Sequence, residues 1–339
     1  MVHSKQRAVV VAVGLLAVVA AGCASKATNS NSGSNNGGNK SSGGKSSGPF
    51  VVGYSQSNNA EPYRAQLNLQ LQYYIKKYPD LKLLPIADAQ QQSSKQVSQV
   101  QQFIQQKVNV LIVSPNEPDP LTGPVQQACN AKIPVIILDR SVNTSCYSAF
   151  IGGDNYVAGK KAGELAAKDL PNGGNVVELQ GILSDQPQID RDKGFRDGIK
   201  SNPKIKIIEH REAKWLKENA TSTMQQWLAK DKNINLVYAQ NDPMALGAYL
   251  AAASVHKETS IKFIGTDGLA IPDGGIRAVQ QGHLAGTFIY PTCAEEAAAM
   301  AEKLAHGETV QKKTTLDITA VTPQNAAQLY TANDFSHKK

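Results

Sequence analysis

Two charged residues, Asp139 and Arg140, stand side by side directly after the apolar run "VIIL". Asn241 and Asp242 follow the run "LVYAQ" in the same way, and Asp267 follows "FIGT". Such runs predict buried strands. In open α/β sheets, ligands bind beyond the carboxyl ends of the strands. These positions therefore predict side chains that meet at one binding site.

Similar groups follow two other predicted strands. Glu61, Tyr63 and Arg64 come shortly after "FVVGYSQ", and Tyr290 ends the run "GTFIY". Because strand ends from the first and the second part of the chain carry such groups, we expect one cleft between two lobes.

The residue types favour a polyhydroxylated small molecule as the ligand. Arginines such as Arg140 and Arg191 present a fixed fork of hydrogen-bond donors, whereas aspartate and asparagine supply acceptors. These groups suit neighbouring hydroxyls, because each hydroxyl both donates and accepts. Tyr63 and Trp215 can lie flat on the C–H face of a sugar ring.

Each of these residues also has a structural interpretation. Asp139 and Arg140 can form an ordinary surface pair, and Asn241 or Asp242 can cap the helix that follows. We favour Asp242 as the cap and Asn241 as the ligand contact. The other structural alternatives are a turn residue for Asp267, a solvated charge for Arg191 and a core residue for Trp215.

Motifs for catalysis, cofactors and metals are missing from the sequence. There is no HExxH, GxSxG or Walker loop, and the six histidines are scattered. The glycines of "GNVVELQG" are too far apart for a dinucleotide fingerprint. We therefore expect a protein that binds its ligand without converting it, with no cofactor and no metal.

The segments that must position these residues alternate between apolar runs and helical periodicity. This rhythm predicts helices on both faces of parallel sheets, and its length predicts two sheets in two α/β lobes. The strands are predicted at 50–55, 81–87, 108–115, 133–139, 148–154, 175–181, 205–211, 234–240, 261–267, 284–290 and 314–321.

The N-terminus is typical of an export signal. Lys5 and Arg7 precede an apolar run, 8–21, that is short for a membrane span. The run ends in "AAGC", which resembles a lipobox except that Ala20 stands where leucine is more usual. We predict a signal peptide over 1–22 and lipid modification of Cys23; the alternative is an ordinary secretory signal.

The residues after Cys23 are almost all Ser, Asn, Gly and Lys, which predicts a flexible tether over 23–48 that spans roughly 25–30 Å. The net charge is +7, but no Lys/Arg run is interleaved with aromatic residues. Nucleic acid is therefore not the expected partner.

Three further cysteines, Cys129, Cys146 and Cys293, lack CxxC spacing, which argues against zinc. An exported protein can pair two of them, and the sequence leaves the pairing open.

Five motifs, in order, resemble a known family. "VGYSQ…YR", "ILDRSV", "NVVELQG…IDRDKGF", "VYAQNDPMALGA" and "GTDG" resemble those of the type I, ribose-binding-protein-like solute-binding proteins of bacterial ABC sugar importers. The resemblance covers about 50–322 and is closest to the galactofuranose-binding branch. That branch has a glutamate four residues before its arginine, whereas Ala60 holds this place here and Glu61 stands one position away.

The resemblance implies two Rossmann-like lobes joined by three hinge strands. The first lobe would comprise 50–153 and 291–318, and the second 154–290 and 319–335. The family pattern places ligand contacts at Arg64, Asp139, Arg140, Arg191, Asn241 and Asp267. Tyr63, Trp215 and Tyr290 fall at further positions of that pattern.

The implied function is delivery of a sugar or sugar alcohol to a membrane permease and its ATPase by a monomeric, lipid-anchored binding protein on the extracytoplasmic face of the membrane. A sugar-sensing co-receptor for a signalling protein is the main alternative. A tethered sugar-processing enzyme needs a suitably spaced carboxylate pair. A transcription factor of the same fold would need an N-terminal DNA-binding domain, and the sequence predicts an export signal at that place instead.

Overall fold

The computed structural model describes residues 48–230 and 233–338, and strands alternate with helices along them. The strands are β1 (Phe50–Gln56), β2 (Leu81–Leu83), β3 (Ala87–Asp88), β4 (Val110–Ser114), β5 (Val135–Leu138), β6 (Ala149–Gly153), β7 (Gly174–Gln180), β8 (Ile205–Glu212), β9 (Leu236–Ala239), β10 (Lys262–Ile264), β11 (Thr287–Ile289), β12 (Lys313–Leu316) and β13 (Thr319–Val321). The helices are α1 (Pro62–Ile75), α2 (Ser93–Gln105), α3 (Pro118–Asn130), α4 (Asn155–Asp169), α5 (Gln186–Ile199), α6 (Lys217–Ala229), α7 (Asp242–Ala253), α8 (Gly275–Gln280), α9 (Ala294–Ala305) and α10 (Ala326–Asn333).

The strands form two parallel sheets and one small antiparallel pair. The first sheet has the order β12-β6-β5-β4-β1-β2, with β3 also paired to β1, and the second has the order β10-β9-β7-β8. β11 pairs with β13, and single bridges connect it to the end of β10. The predicted α/β class with parallel sheets is confirmed.

The central strands β4 and β5 of the first sheet are apolar except for Ser114 at the end of β4. Every residue of β4 and β5 is buried, as expected for parallel strands covered on both faces. Helices α1 and α9 pack together, as do α2 and α3. Because β1, β4 and β5 run parallel, their carboxyl ends lie at the same edge of the sheet. Arg140 and its neighbours extend from this edge.

Two helices of the second half pack at unusually short distance. A Cβ atom at Gly159 in α4 would lie 2.1 Å from the Arg191 carbonyl oxygen, and one at Gly194 in α5 would lie 2.2 Å from the Tyr156 carbonyl oxygen. Only glycine permits this approach. It brings the start of α4 against the turn of α5 that carries Arg191.

Two predicted strands are wrong in extent. The segment predicted as one strand over 314–321 forms β12 in the first sheet and β13 beside β11, because the chain leaves the first sheet at Asp317. The segment 81–87 is also broken, since Pro85 between β2 and β3 has no N–H to donate.

The chain passes between the two halves at three places: after β6, after β11 and after β12.

The structure pairs Cys129 with Cys146 in a disulfide, with 6.1 Å between their Cα atoms, which joins the end of α3 to the loop before β6. Cys293 is free and buried. Within the described ranges, no helix has both the length and the apolarity to cross a bilayer. The predicted signal peptide, Cys23 and the tether up to residue 47 lie outside the described residues.

Candidate functional site

A cavity lies between the carboxyl edges of the two sheets. It is lined by all ten residues selected from the sequence and by one more, Pro187. The lining is Glu61, Tyr63, Arg64, Asp139, Arg140, Pro187, Arg191, Trp215, Asn241, Asp267 and Tyr290. Residues that are up to 229 positions apart thus form a single site. Their role in binding a ligand stays a prediction.

Arg64 and Asp139 form a buried ion pair on the first-sheet side of the cavity. The Arg64 Nη2 donates to Asp139 Oδ2 at 2.5 Å, and its Nη1 donates to the Ser114 hydroxyl at 2.6 Å. Burial alone would raise the pKa of Asp139, but Arg64, Arg140 and Arg191 outweigh it and hold that pKa below its usual value. Asp139 is therefore an anion whose charge is already compensated by the protein.

Arg140 is buried and contacted on several sides. Its Nη1 donates to the Asn116 carbonyl at 3.1 Å, and its Nη2 lies 3.5 Å from Glu61 Oε1. Its Nε lies 3.1 Å from Asp185 Oδ2, which belongs to the second half. The interpretation of Asp139 and Arg140 as a surface pair is wrong, because their side chains are almost fully buried.

Arg191 is likewise buried, so its interpretation as a solvated charge is wrong. Its Nε donates to Asn155 Oδ1 at 2.8 Å, and its Nη1 donates to the Gln240 carbonyl at 2.5 Å. The guanidinium carbon lies 4.7 Å from the centre of the Tyr290 ring. These contacts orient the remaining donors of Arg191 toward the cavity that it lines.

Three aromatic rings contribute to the cavity wall. Tyr63 and Tyr290 meet edge to face with 5.7 Å between ring centres. The Tyr290 hydroxyl accepts from the Gly153 amide at 3.1 Å and from Asn155 Nδ2 at 3.0 Å. Trp215 is both a core residue and a cavity residue, and its indole N–H donates to Asp185 Oδ2 at 3.0 Å.

Asp267 is buried and lines the cavity, yet no donor among the described residues reaches its carboxylate. Burial, reinforced by the neighbouring Asp242 carboxylate, raises the pKa of Asp267 well above its usual value. The unpaired oxygens of Asp267 are therefore acceptors, or a donor when protonated, for a group that enters the cavity.

The expected roles of Asn241 and Asp242 are partly exchanged. Asn241 is the N-cap of α7, accepts from the Met244 amide at 3.0 Å, and also lines the cavity. Asp242 accepts from the Gly268 amide at 2.7 Å and from the Thr287 hydroxyl at 2.6 Å. The prediction that Asp242 is the cap was wrong, because its carboxylate instead holds the loop that follows β10.

The backbone is in the left-handed region at three cavity residues. The φ angles are 64° at Asp139, 67° at Trp215 and 130° at Asp267. Such conformations cost free energy for residues with a Cβ and cluster at functional sites. All three follow strands directly or within a few residues, which places their side chains over the strand ends.

Sequence reasoning missed Asp185, Asn155 and Pro187. Asp185 is fully buried against Arg140 and Trp215, and Asn155 joins Arg191 to Tyr290. Both follow strand ends, β7 and β6, and this was the signal available in the sequence.

No cofactor motif accompanies the site. Elsewhere in the described chain, Asp80, Glu302 and His306 form a cluster with metal-ligating atoms, and it is not part of the cavity.

Comparison with known proteins identifies the family. A family model described as a periplasmic binding protein domain matches residues 52–309. The ribose import binding protein of Salmonella typhimurium is 32% identical over 243 residues, which are 71% of this chain and 80% of the relative. The galactofuranose-binding protein of Escherichia coli is 34% identical over 223 residues, 63% of this chain and 68% of the relative. The chain belongs to this family of periplasmic binding proteins, as its motifs predicted.

Solved structures agree with this assignment. The fructose-binding periplasmic domain of a hybrid two-component system has a TM-score of 0.80 at 32% identity, covering 84% of this chain and 94% of that domain. A solute-binding protein of an ABC transporter from Bacillus halodurans, with bound myo-inositol, has a TM-score of 0.79 at 30% identity, covering 84% of this chain and 98% of the other. The predicted type I periplasmic-binding-protein fold is confirmed.

Proposed function

We propose that this chain is the substrate-binding protein of an ABC importer that captures a sugar or sugar alcohol in the cleft between its two halves. The observation that carries the proposal is the cavity, which arginine donors and the unpaired Asp267 carboxylate line together. The ribose- and galactofuranose-binding relatives and the myo-inositol-bound structure support this ligand class.

The chemistry of the lining residues matches vicinal hydroxyls. Arg64, Arg140 and Arg191 supply donors, Asp267 and Asn241 supply acceptors, and the Trp215 ring supplies an apolar surface. A ribose-sized or hexose-sized ring presents both kinds of surface. An apolar ligand would leave Asp267 and the free N–H groups of the arginines unpaired, which costs about 1–3 kcal/mol for each group.

Capture would proceed by hinge closure. The lining residues come from both sheets, so a ligand gains its full set of contacts only when the two halves are together. The ligand would therefore shift an existing equilibrium between open and closed forms toward the closed form. A permease with its ATPase subunit would recognise the closed form and accept the ligand.

Binding without conversion of the ligand is supported by the relatives. They are a ribose import binding protein and a galactofuranose-binding protein. The chain would act as a monomer on the extracytoplasmic face of the membrane, held there by a lipid on Cys23. Loss of the chain from the membrane fraction in a Cys23→Ala variant tests the anchor.

A co-receptor role is a second candidate because of one observation. The fructose-binding domain that shares this fold belongs to a hybrid two-component system. Uptake of a labelled ligand by cells with and without this chain separates the two roles. Loss of uptake supports import, whereas unchanged uptake with a lost transcriptional response supports sensing.

Thermal unfolding of the purified, ligand-free protein against a panel of pentoses, hexoses, furanose forms and polyols tests the ligand class. A ligand at 1,000 times its Kd adds about 4 kcal/mol to the free energy of unfolding, which raises the Tm by several degrees. A rise with one compound that disappears in Asp267→Ala supports the proposal. No rise across the panel contradicts it.

A further inference from the structure

Asp185 lies behind the cavity wall and contacts two of the residues that form it. Its Oδ2 lies 3.1 Å from Arg140 Nε and 3.0 Å from the Trp215 indole nitrogen. Arg140 follows β5 of the first sheet, whereas Asp185 and Trp215 follow β7 and β8 of the second. One carboxylate oxygen therefore joins side chains from the two halves.

The two contacts orient what the cavity presents. Because the indole N–H of Trp215 donates to Asp185, the ring offers the cavity only its apolar surface. Because Nε of Arg140 faces Asp185, Nη1 donates to Asn116 and Nη2 lies 3.5 Å from Glu61 Oε1, the plane of the guanidinium is fixed and only the N–H groups outside these contacts are left for a ligand. The centres of the two side chains lie 5.6 Å apart.

Two further hydrogen bonds join the same segments across the cleft. The Ser184 hydroxyl donates to Glu117 at 3.3 Å, and the Gln91 amide donates to the Lys214 carbonyl at 3.1 Å. Asp185 thus belongs to a set of contacts between the two halves. The Arg140–Asp185 contact can form only when the two halves are close together, as they are here.

We propose that Asp185 is a positioning residue for ligand binding, which fixes Arg140 and Trp215 relative to each other as the cleft closes. The proposal rests on the proposed sugar-binding function, and it adds a residue that does not itself line the cavity. Burial raises the pKa of Asp185 to about 6 despite the opposing effect of Arg140, so the carboxylate is ionised at neutral pH. The ion pair is therefore available under those conditions.

The test compares Asp185→Ala and Asp185→Asn with the parent, using the ligand found in the thermal panel. Asparagine keeps an acceptor for the indole N–H but removes the charge that faces Arg140. We expect a rise in Kd of about 10-fold or more for Asp185→Asn and a larger rise for Asp185→Ala, mainly through faster dissociation. Asp273→Asn, which removes an exposed charge from the same half, is the matched control and should bind like the parent.

A second readout does not need the ligand. In a Trp227→Phe background, Trp215 is the only tryptophan, since the chain has two. Asp185→Ala should then change the emission maximum of Trp215 and increase its quenching by acrylamide in the ligand-free protein. If Asp185→Ala does not fold, the asparagine variant provides both readouts.

The outcomes separate the two proposals. A parent that binds no compound of the panel contradicts the sugar-binding function, whereas the emission of Trp215 still reports on Asp185. A folded Asp185→Ala protein with the parent's Kd and the parent's Trp215 emission would overturn the positioning role.

Discussion

Two aspartates on opposite walls of the same cavity are in contrasting environments. Asp139, after β5 of the first sheet, is paired with Arg64 at 2.5 Å, and its pKa lies below the usual value. Asp267, after β10 of the second sheet, has no donor among the described residues, and burial raises its pKa. Both are buried and both have a positive φ angle. The partners, not the burial, decide which charge the protein itself compensates.

This contrast indicates a division of labour. The wall around Asp139 is organised by charge pairs before a ligand arrives. The wall around Asp267 keeps an unpaired acceptor, whose cost is recovered when a ligand hydroxyl reaches it. The following substitutions test this difference.

The largest effect is expected from Asp139→Ala. It leaves the Arg64 guanidinium buried without its nearest counter-charge, and breaking such a pair costs about 3–5 kcal/mol. Urea unfolding of the ligand-free protein should show this loss, with ligand binding abolished. Asp273→Ala serves as the control, and a loss below about 1 kcal/mol for Asp139→Ala would mean that Glu61 and Ser114 suffice for Arg64.

Asp267→Asn should act in the opposite direction on the ligand-free protein. Asparagine stays neutral, so the substitution removes the desolvation cost of the ionised carboxyl and should raise the free energy of unfolding by about 1 kcal/mol at a pH where Asp267 is ionised. Affinity for the ligand should fall about 10- to 100-fold, since a hydrogen bond to a charged group contributes about 1.5–3 kcal/mol. Calorimetric titration and urea unfolding of one preparation measure both, and a destabilised variant would show that Asp267 has a partner in solution.

Gly181→Ala disturbs the second wall without changing its charge. A Cβ atom at Gly181 would lie 2.0 Å from Cζ2 of the Trp215 ring, so the indole must move. Overpacking of this kind costs about 1–3 kcal/mol, and we expect an affinity loss of about tenfold. Gly123→Ala, at a glycine with no atom within 4 Å of the added carbon, is the control. Equal affinities for the two variants would show that the position of Trp215 is unimportant.

The smallest effect on ligand binding is expected at a third carboxylate, Glu178, which lies behind the second wall and does not line the cavity. Burial, with the nearby Asp192, raises the pKa of Glu178 from 4.5 to about 8. The folded protein therefore holds a proton that the unfolded chain releases between these values, so stability should fall as pH rises through this window. Between pH 7 and 8 the slope from one proton is at most about 1.4 kcal/mol per pH unit. Glu178→Gln should reduce that slope in thermal unfolding at several pH values; an unchanged slope would assign it to other groups.

The sequence was most informative where one local rule applied. Apolar runs followed by polar residues identified the strand ends, and these identified Asp139, Arg140 and Asp267 as cavity residues. Tyr290 was identified in the same way, whereas residue type and the family motifs indicated Arg191 and Trp215. The break at Asp317 was missed, because an apolar run does not reveal that its two parts join different sheets.

Local patterns did not distinguish partners that are distant in the chain. Asn241 and Asp242 are both common helix caps, and only the approach of Gly268 and Thr287 assigns Asp242 to another task. In the same way, the pairing of Cys129 with Cys146 depends on how α3 meets the loop before β6. Asp185 gave no motif, because its importance comes from Arg140 and Trp215.

The sequence by itself determined the alternation of strands and helices, the polar residues at the strand ends and the family, since each of these depends on neighbours along the chain. The tertiary structure alone decided which carboxylate is paired, which is left for a ligand and which joins the two halves. The physical reason is that the charge state of a buried group depends on atoms within a few ångströms of it. For Asp139 and Asp185, those atoms belong to residues that are distant in the chain. Asp267 has no hydrogen-bond donor among the described residues.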